Sequence, residues 1–543
     1  MTHRPIPVPE RMVAMPRAVS LAEASARWGE EPAAWLEDGE RGEIALRDDL
    51  ARALAHGLGE HPLEAIARAD VPVADPARVH DTGARSGATA LGWTLVPATG
   101  RERWIFRLPV DVTPRRAFEE RAMARLLPPA ALDVLREIGT FAAARGVAVL
   151  AVGGLVRDLA VGLPFQEMDL DLLVEGDAIA LARGWGRAHG YDVRAHPAFG
   201  TAKCSADGAI EVDLASMRRE TYAAPGALPA VAPGTLVDDL HRRDFTANAL
   251  ALRLSPERFG AVVDPFDGWG DLERKILRPH HPLSFVDDPT RLLRSARYRA
   301  RLGLAAETAH QRAAELALAA GAIDRVSGAR LFADLTRILI ESDPVAPLSL
   351  LAREGTVRAV HPVLHGWLSG RDRVGRVREV QASWPEPLAA VDAAIPSLAA
   401  LAWDADADAI LAVRRRLAPP GRAGARLELE VPRARAIAEK LADHQAVRPS
   451  VAYKLLHDVP GALLVTIAAL GGAAAASAVR RFVETSRHVA ISTTGDDLRS
   501  LGLEPGPLFG RIQARLRTAR LDGEVHDRES ELALVRREFR APD

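Results

Sequence analysis

Residues 147–158 read VAVLAVGGLVRD and residues 168–174 read MDLDLLV, and these two stretches decide the predicted fold. The first is a short apolar run that ends at two glycines, which predicts a buried strand followed by a turn. The second predicts another strand with Asp169 and Asp171 on one face, because alternate side chains of a strand point the same way. Neighbouring carboxylates repel each other unless a cation lies between them, so the pair indicates divalent metal ions and nucleotidyl transfer. For a DxD motif in isolation, a solvent-facing polar edge is the alternative.

The glycine pair Gly153 and Gly154 lies where the first strand turns into a helix. Glycine lets the backbone approach a phosphate closely, and the first N–H groups of a helix point at a bound anion. Arg157 is expected on the first turn of this helix, where its guanidinium would add a charged fork. A tightly packed turn is the commoner reason for two adjacent glycines, so this interpretation depends on the DxD motif that follows.

Strand and helix signals alternate in the middle of the chain, where YDVRAH, AIEVDLAS and FGAVVDPF are further strand-like runs. After about Arg278, apolar residues recur at helical spacing to the C-terminus, which predicts an all-helical second half. The first 120 residues predict only a helix over 46–58 and a strand over 104–108. MRRETYAAPGALPAVAPG at 217–234 is rich in Gly and Pro and predicts a mobile loop.

The composition of the 543-residue chain is that of a folded globular protein, with 48 % hydrophobic residues and a net charge of −2. The near-neutral charge means that any RNA-binding surface must be local. Cys204 is the only cysteine, which excludes an internal disulfide and a thiolate zinc cluster. No apolar run reaches the roughly 18 residues of a membrane span, and no secretion signal is recognisable. We therefore expect a cytoplasmic protein without membrane contact.

Two further stretches carry candidate site residues. Asp213 in AIEVDLAS is either a third carboxylate of the site or a surface partner for a nearby arginine. In RRDFTANA, Arg243 has the charge to neutralise a phosphate, while Asp244 and Asn248 have the groups to bind a ribose hydroxyl. A salt-bridged helix start would give the same pattern.

The segment DDPTRLLRSARYRARL at 287–302 predicts a helix that starts with Asp288 as its N-cap and Pro289 at its first position. Asp288 and Arg291 are three apart and share a face, so an acceptor lies beside a donor fork. Cytosine and adenine each present an amino donor next to a ring-nitrogen acceptor, which such a pair can read. Arg294 and later arginines add positive charge that suits a triphosphate or RNA.

Together, GGLVRD, DLD, RRDFTANA, DPFDGWGDL and DDPTRLLRSARYRARL resemble the ordered motifs of the class II CCA-adding enzymes and bacterial poly(A) polymerases. The resemblance covers roughly residues 140–340. It implies an α+β fold in which a small mixed-sheet nucleotidyltransferase head precedes an all-helical neck, body and tail. We predict the head at 121–277, the neck at 278–345, the body and tail at 346–543, and an N-terminal extension of unknown fold and role at 1–120.

The resemblance also assigns roles to residues of this sequence. Asp169 and Asp171 would bind the metal, with Asp213 as a further catalytic carboxylate. Gly153, Gly154 and Arg157 would hold the triphosphate, and Arg243, Asp244 and Asn248 would contact the nucleotide. Asp288 and Arg291 would select the base, with Arg294 beside them. The implied cofactor is Mg²⁺, as two ions. The implied partners are the 3′ end of tRNA, CTP and ATP.

The implied function is template-independent addition or repair of the 3′-terminal CCA of tRNA with release of pyrophosphate. The chain lacks the GRRF-like segment of bacterial poly(A) polymerases, and the long stretch at 217–234 argues against an enzyme that adds only C. An enzyme that adds only A, a poly(A) polymerase and a catalytically inactive RNA-binding relative remain as alternatives. Ala329 stands where the family has Glu, and this exchange is expected to loosen Arg291 or Arg294.

Overall fold

The computed structural model of the chain describes residues 10–37, 43–68, 93–99, 102–107, 110–165, 169–384, 391–442 and 447–539. The chain divides into two compact units, Met1–Val326 and Ser327–Asp543. The boundary between them lies inside the predicted neck at 278–345. The finer division into head, neck, body and tail therefore stays a prediction.

The N-terminal part of the first unit forms small sheets and short helices, most of which were not predicted from the sequence. Its elements are β1 (Glu10–Arg11), β2 (Val13–Pro16), α1 (Leu21–Arg27), β3 (Ala33–Glu37), β4 (Ile44–Leu46), α2 (Arg47–Ala55), β5 (Trp93–Thr99) and β6 (Glu102–Arg107). One sheet has the order β2-β3-β4 and another the order β1-β6-β5. Met12, Ala33, Ile44 and Leu46 form a small apolar core beneath the first of these sheets.

The head region contains a mixed sheet with the strand order β10-β11-β12-β9-β8-β15-β16-β7. Its elements, in chain order, are β7 (Arg116–Ala117), α3 (Glu120–Leu126), α4 (Pro129–Ala143), β8 (Val149–Val152), α5 (Gly154–Val161), β9 (Asp169–Val174), α6 (Ala178–His189), β10 (Asp192–His196), β11 (Thr201–Ser205), β12 (Glu211–Ser216), β13 (Arg218–Thr221), β14 (Ala230–Pro233), α7 (Leu236–His241), β15 (Ala251–Arg253), β16 (Ala261–Val263) and α8 (Gly268–Glu273). The predicted mixed sheet is confirmed.

Strands β9 and β12 pair in parallel, whereas the other neighbouring strands of this sheet are antiparallel. The register places Asp169 beside Glu211 and Asp171 beside Asp213. The alternating apolar residues of both strands, such as Leu170, are almost completely buried. Because side chains alternate along a strand, the acidic residues of both strands share the opposite face.

The stretch 217–234, predicted as a mobile loop, contains an antiparallel hairpin of β13 and β14, so the loop prediction is wrong for these two strands. Its Pro and Gly content does not prevent pairing, since prolines are tolerated where the outer side of a strand needs no hydrogen bond. Its connecting turn is also held: the N–H of Gly226 lies 3.2 Å from the carbonyl oxygens of both Val286 and Asp287.

The part of the chain that follows is helical. The first unit continues with α9 (Ser284–Asp287), α10 (Thr290–Leu302) and α11 (Thr308–Ala319). The second unit contains α12 (Gly328–Leu339), α13 (Val345–Arg353), α14 (Thr356–Val360), α15 (Pro362–Trp367), α16 (Asp372–Ala382), α17 (Ala394–Leu401), α18 (Ala407–Leu417), α19 (Gly421–Ala425), α20 (Leu427–Ala442), α21 (Pro449–Leu456), α22 (Gly461–Leu470), α23 (Gly472–Glu484), α24 (Gly495–Ser500), α25 (Pro507–Leu521) and α26 (Arg528–Phe539).

The prediction of an all-helical second half is confirmed for the described residues, where no strand follows Val263. A cluster that includes Leu498, Ile512 and Leu516 forms the core beneath the last helices. Within the described ranges, no helix combines the length and the apolar character that crossing a membrane requires. The cytoplasmic location stays a prediction.

His310 of α11 makes stability depend on pH. The residue is 3 % exposed, and its Nδ1 and Nε2 atoms lie 2.8 Å from the carbonyl oxygen of Leu277 and 2.9 Å from Oγ of Ser295. Burial lowers the pKa of His310 from 6.5 to about 4. The unfolded chain therefore takes up a proton that the folded chain does not, and stability is lost as the pH falls through this window.

We expect burial of His310 to make the free energy of unfolding, measured with urea, about 2 kcal/mol lower at pH 5 than at pH 7. The variant His310→Gln should lose that part of the pH dependence, while His526→Gln, at an exposed histidine, should keep it. Identical pH dependence in the wild type and His310→Gln would contradict the assignment.

Candidate active site

A cavity of about 650 Å³ lies within the first unit, beside the glycine turn and the acidic face of the sheet. Most of the predicted site residues line it. These are Gly153, Gly154, Asp171, Asp213, Arg243, Asp244, Asn248, Asp288, Arg291 and Arg294. Asp169 and Arg157 were predicted with them but do not belong to the lining. The cavity wall also includes Lys203 and Tyr222, which the sequence had not indicated.

The glycine turn brings the backbone close to two charged side chains. Gly153 has φ 72° and ψ −130° and precedes the first residue of α5. A Cβ atom at this position would lie 3.3 Å from Nη1 of Arg243 and 3.8 Å from Oδ2 of Asp171. The turn therefore needs glycine for both its conformation and its space. A phosphate bound here would meet backbone N–H groups and a guanidinium together.

The acidic face of the sheet carries a lysine among its carboxylates. Nζ of Lys203 on β11 lies 2.6 Å from Oε2 of Glu211 and 3.8 Å from Oδ2 of both Asp169 and Asp213. Burial, together with Glu211, raises the pKa of Asp169, and burial raises the pKa of Asp213. Both shifts mark a place where negative charge is crowded and a cation would stabilise it.

The carboxylates suit a hard divalent cation that also binds phosphate. In the described residues, no three His, Cys, Asp or Glu side chains form a complete metal site. Mg²⁺ is commonly held by one or two carboxylates and completed by substrate phosphates and water. Asp171 lines the cavity, and the side chain of Asp169 is 51 % exposed beside Lys203. The donor set therefore fits Mg²⁺ only when a nucleotide shares its coordination.

Arg243 carries an incompletely compensated charge. Its Nη2 donates to Oδ1 of Asp239 over 3.3 Å, but Asp239 also accepts from both Nε and Nη2 of Arg242 and from the N–H of Arg218. Burial lowers the pKa of Arg243. A largely buried guanidinium that shares one carboxylate with other donors favours an anion nearby.

Arg157 does not contact the cavity, which corrects its predicted role as a triphosphate ligand. It is 3 % exposed, and its Nη1 donates to Oδ1 of Asn248 over 2.8 Å while its Nε donates to Asp158. Its guanidinium also lies 4.9 Å from the centre of the Tyr298 ring. The α5 helix turns this side chain inward, where Asp158 balances its charge. Arg157 therefore orients Asn248 and Tyr298 from behind the cavity.

Asp244 and Asn248 form one hydrogen-bonded unit. Oδ1 of Asp244 accepts from Nδ2 of Asn248 and from the N–H of Phe245, each over 2.9 Å. Oδ2 of Asp244 forms an ion pair of 2.8 Å with Nη2 of Arg294. Although burial favours the neutral carboxyl, Arg294 and Asn248 outweigh it and lower the pKa of Asp244. The unit is thus charged and fixed in orientation.

Asp288 and Arg291 face the same cavity, as their spacing predicted. Oδ1 of Asp288 accepts from the N–H and Oγ1 of Thr290, and α10 begins at Thr290, one residue after the predicted start. Arg291 is 4 % exposed and donates to Oγ of Ser284 over 2.7 Å and to the carbonyl oxygen of Arg242 over 2.9 Å. These two acceptors hold its guanidinium, and the effect of Ala329 on Arg291 or Arg294 stays a prediction.

Tyr222 is a cavity residue that sequence reasoning missed, because it lies in the stretch interpreted as a loop. Its hydroxyl donates to Oε2 of Glu220 over 3.1 Å. Burial raises the pKa of Tyr222 to about 12. Lys203 was missed for a similar reason, since its strand β11 had not been predicted.

Part of the chain matches a known protein family. Residues 149–278 match the family described as poly A polymerase head domain. The A-adding tRNA nucleotidyltransferase of Halalkalibacterium halodurans is 32 % identical over 75 % of this chain and 92 % of its own length. The chain belongs to the class II tRNA nucleotidyltransferases.

Two other relatives show that the family members differ in specificity and length. The A-adding tRNA nucleotidyltransferase of Geobacter sulfurreducens is 34 % identical over 78 % of this chain, which spans about half (48 %) of that relative. The CC-adding tRNA nucleotidyltransferase of Deinococcus radiodurans is 33 % identical over 71 % of this chain and 88 % of its own length.

Solved structures of CCA-adding enzymes share the fold. The Thermotoga maritima enzyme complexed with tRNA is 26 % identical with a TM-score of 0.56, covering 78 % of this chain and all of that structure (100 %). A CCA-adding enzyme complexed with CTP is 25 % identical with a TM-score of 0.57, covering 78 % of this chain and 99 % of that structure. A CCA-adding enzyme complexed with ATP is 26 % identical with a TM-score of 0.57, covering 78 % of this chain and 100 % of that structure.

We expect Gly153→Ala to lower nucleotide turnover roughly tenfold to a hundredfold, because its methyl group crowds Nη1 of Arg243 at 3.3 Å and displaces this guanidinium from the phosphate position. Gly162→Ala is the matched control, since Gly162 ends the same helix with φ +74° and has nothing within 4 Å of an added Cβ. That control should lose only about 1 kcal/mol of stability through backbone strain and should keep turnover. Equal turnover in the two variants would contradict this account of the glycine turn.

Proposed function

We propose that this nucleotidyltransferase extends the 3′ end of tRNA, and that its reaction is the addition of A from ATP to a tRNA that ends in CC. The cavity that joins the glycine turn, the acidic strand pair and the Asp288–Arg291 pair supports nucleotide transfer. The names of two relatives matched over about three quarters of the chain favour A as the nucleotide added.

Complete addition of CCA from CTP and ATP, the prediction from sequence, is the second candidate. The Asp288–Arg291 pair supports it, because an acceptor beside a guanidinium matches the amino group and ring nitrogen of both cytosine and adenine. The solved structures with CTP and with ATP show that both nucleotides bind to CCA-adding enzymes. The choice between the two candidates therefore depends on the acceptor RNA and on the nucleotide supplied.

In the proposed complex, the triphosphate lies against the N–H groups at Gly153 and Gly154, with the Arg243 guanidinium balancing its charge. Asp244 and Asn248, already fixed by Arg157 and Arg294, contact the ribose hydroxyls. These contacts hold the α-phosphorus for in-line attack by the 3′-hydroxyl of the tRNA, with pyrophosphate as the leaving group.

Asp169 and Asp171 would hold two Mg²⁺ ions together with the nucleotide phosphates. When bound, the ions would lower the pKa of the attacking hydroxyl and neutralise charge on the leaving pyrophosphate. Asp213 lies beside Asp171 in the sheet register. A carboxylate with a raised pKa next to the attacking group can accept the proton of the 3′-hydroxyl at its Oδ2 atom.

We expect Asp171→Asn to lower nucleotide incorporation by roughly a thousandfold, since several kcal/mol of charge stabilisation would be lost. Asp192→Asn is the matched control, because Asp192 is an exposed aspartate on β10 of the same sheet. Circular dichroism and urea unfolding should be unchanged in both variants. Full activity of Asp171→Asn would refute the proposed role of the acidic pair.

Incubation of the purified chain with Mg²⁺, single nucleotides and two tRNA substrates separates the candidate functions. We expect ATP alone to extend a tRNA ending in CC by one A, and CTP to leave a tRNA that lacks CCA unextended. Extension of the second substrate by CTP would favour complete CCA addition. Absence of pyrophosphate release with any RNA would overturn the proposed activity and favour the non-catalytic alternative.

A further inference from the structure

The helix α2 of the N-terminal region contacts the residue that precedes the base-selecting pair. Nη2 of Arg52 donates to Oδ2 of Asp287, and Nε2 of His56 lies 3.1 Å from Oδ1 of the same carboxylate. The side chain of Asp287 is 1 % exposed, whereas that of Arg52 is 39 % exposed. Both oxygens of Asp287 are thus bound by residues more than two hundred positions earlier in the chain.

Asp287 depends on these contacts because a buried carboxylate without a cation is strongly unfavourable. Nε2 of His281 is also near, at 3.6 Å from Oδ2 of Asp287. Burial, however, holds the pKa of His281 well below its usual value. Arg52 is therefore the contact of Asp287 whose positive charge does not depend on pH.

The position of Asp287 determines the position of both base-selecting residues. Asp287 is the last residue of α9, and Ser284, the first residue of that helix, accepts the hydrogen bond from Nη1 of Arg291. Asp288 follows directly and starts the turn into α10. Any displacement of Asp287 would move the acceptor and the donor that read the base.

Other contacts hold the N-terminal region in place without Arg52. Glu43 forms an ion pair with Arg312 of α11 at 2.7 Å. Nη1 of Arg68 donates to the carbonyl oxygen of His280 over 3.3 Å, while its Nε donates to Asp49. Loss of the Arg52 contact alone should therefore leave the region docked.

We propose that Arg52 and His56 are positioning residues for nucleotide selection, acting through Asp287 on Asp288 and Arg291. The proposal rests on the function proposed above. It gives the N-terminal region, whose role was unknown from sequence, a part in choosing the base. Neither residue contacts the cavity, so their effect on the nucleotide is indirect.

The test compares Arg52→Gln and Asp287→Asn with the wild type in single-nucleotide incorporation onto tRNA ending in CC, measuring kcat and KM for each of the four nucleotides. We expect KM for ATP to rise and the preference for ATP over GTP to fall by about threefold to thirtyfold. Arg52→Lys should restore most of the preference, because it keeps the charge. The double variant should lose no more of the preference for ATP than either single variant, since both substitutions disrupt the same contact between Arg52 and Asp287.

Arg47→Gln is the matched control, because Arg47 is an exposed arginine on the same helix, and its nucleotide preference should equal that of the wild type. A merely structural role would lower kcat equally for all nucleotides and leave KM and the preference unchanged, and that result would overturn the proposal.

Equilibrium binding of ATP to the same variants provides a readout that needs no RNA. If the wild type extends tRNA but Arg52→Gln keeps its preference, only the positioning role fails. If the wild type extends no RNA, the proposed function fails, and binding then decides the positioning role. In that case, the positioning role would be overturned if Arg52→Gln and Asp287→Asn both bind ATP as tightly as the wild type. It would be supported if both variants bind ATP more weakly.

Discussion

The parallel pairing of β9 with β12 is the constraint on which the site depends. It sets Asp169 beside Glu211 and Asp171 beside Asp213, and thereby gathers four carboxylates on one face of a sheet whose other face is core. Such crowding is unfavourable without positive charge, and Lys203 meets only part of that need. The same charge imbalance that destabilises this face is what would attract a divalent cation carrying a nucleotide.

Opposite charge is supplied from the other side of the cavity by the largely buried Arg243 and the buried Arg291. Arg243 shares Asp239 with other donors, while Arg291 is held by neutral oxygen atoms. These guanidinium groups are fixed before any ligand arrives, so little ordering is needed when a triphosphate or base binds. The cavity thus has an acidic wall and a basic wall, which is the distribution that a nucleotide with bound metal requires.

Positions behind the cavity control the residues that face it. Arg157 orients Asn248, and Arg294 neutralises Asp244. Asp287, buried against Arg52 and His56, fixes the turn that carries Asp288. In each case a specific partner offsets the free-energy cost of burying a charged group. The partner also fixes a geometry that loops alone would not maintain. Side chains outside the cavity therefore determine its shape.

Local patterns in the sequence determined the strands β8 and β9, the glycine turn, the acidic pair and the helical second half. Each of these depends on side-chain periodicity or on the conformational freedom of glycine, and both are properties of neighbouring residues. The spacing of Asp288 and Arg291 within one contiguous motif likewise indicated the pair that we propose to select the base.

Only the tertiary structure decided which charges meet. β11 and the hairpin of β13 and β14 are short and carry mixed residues, so their pairing depends on the neighbouring strand and not on their own pattern. Arg157 points inward because Asp158 and Asn248 accept its hydrogen bonds there. Arg52 contacts Asp287, which lies 235 positions later in the sequence. Contacts between residues so far apart leave no periodic signal, since only the folded chain brings them together.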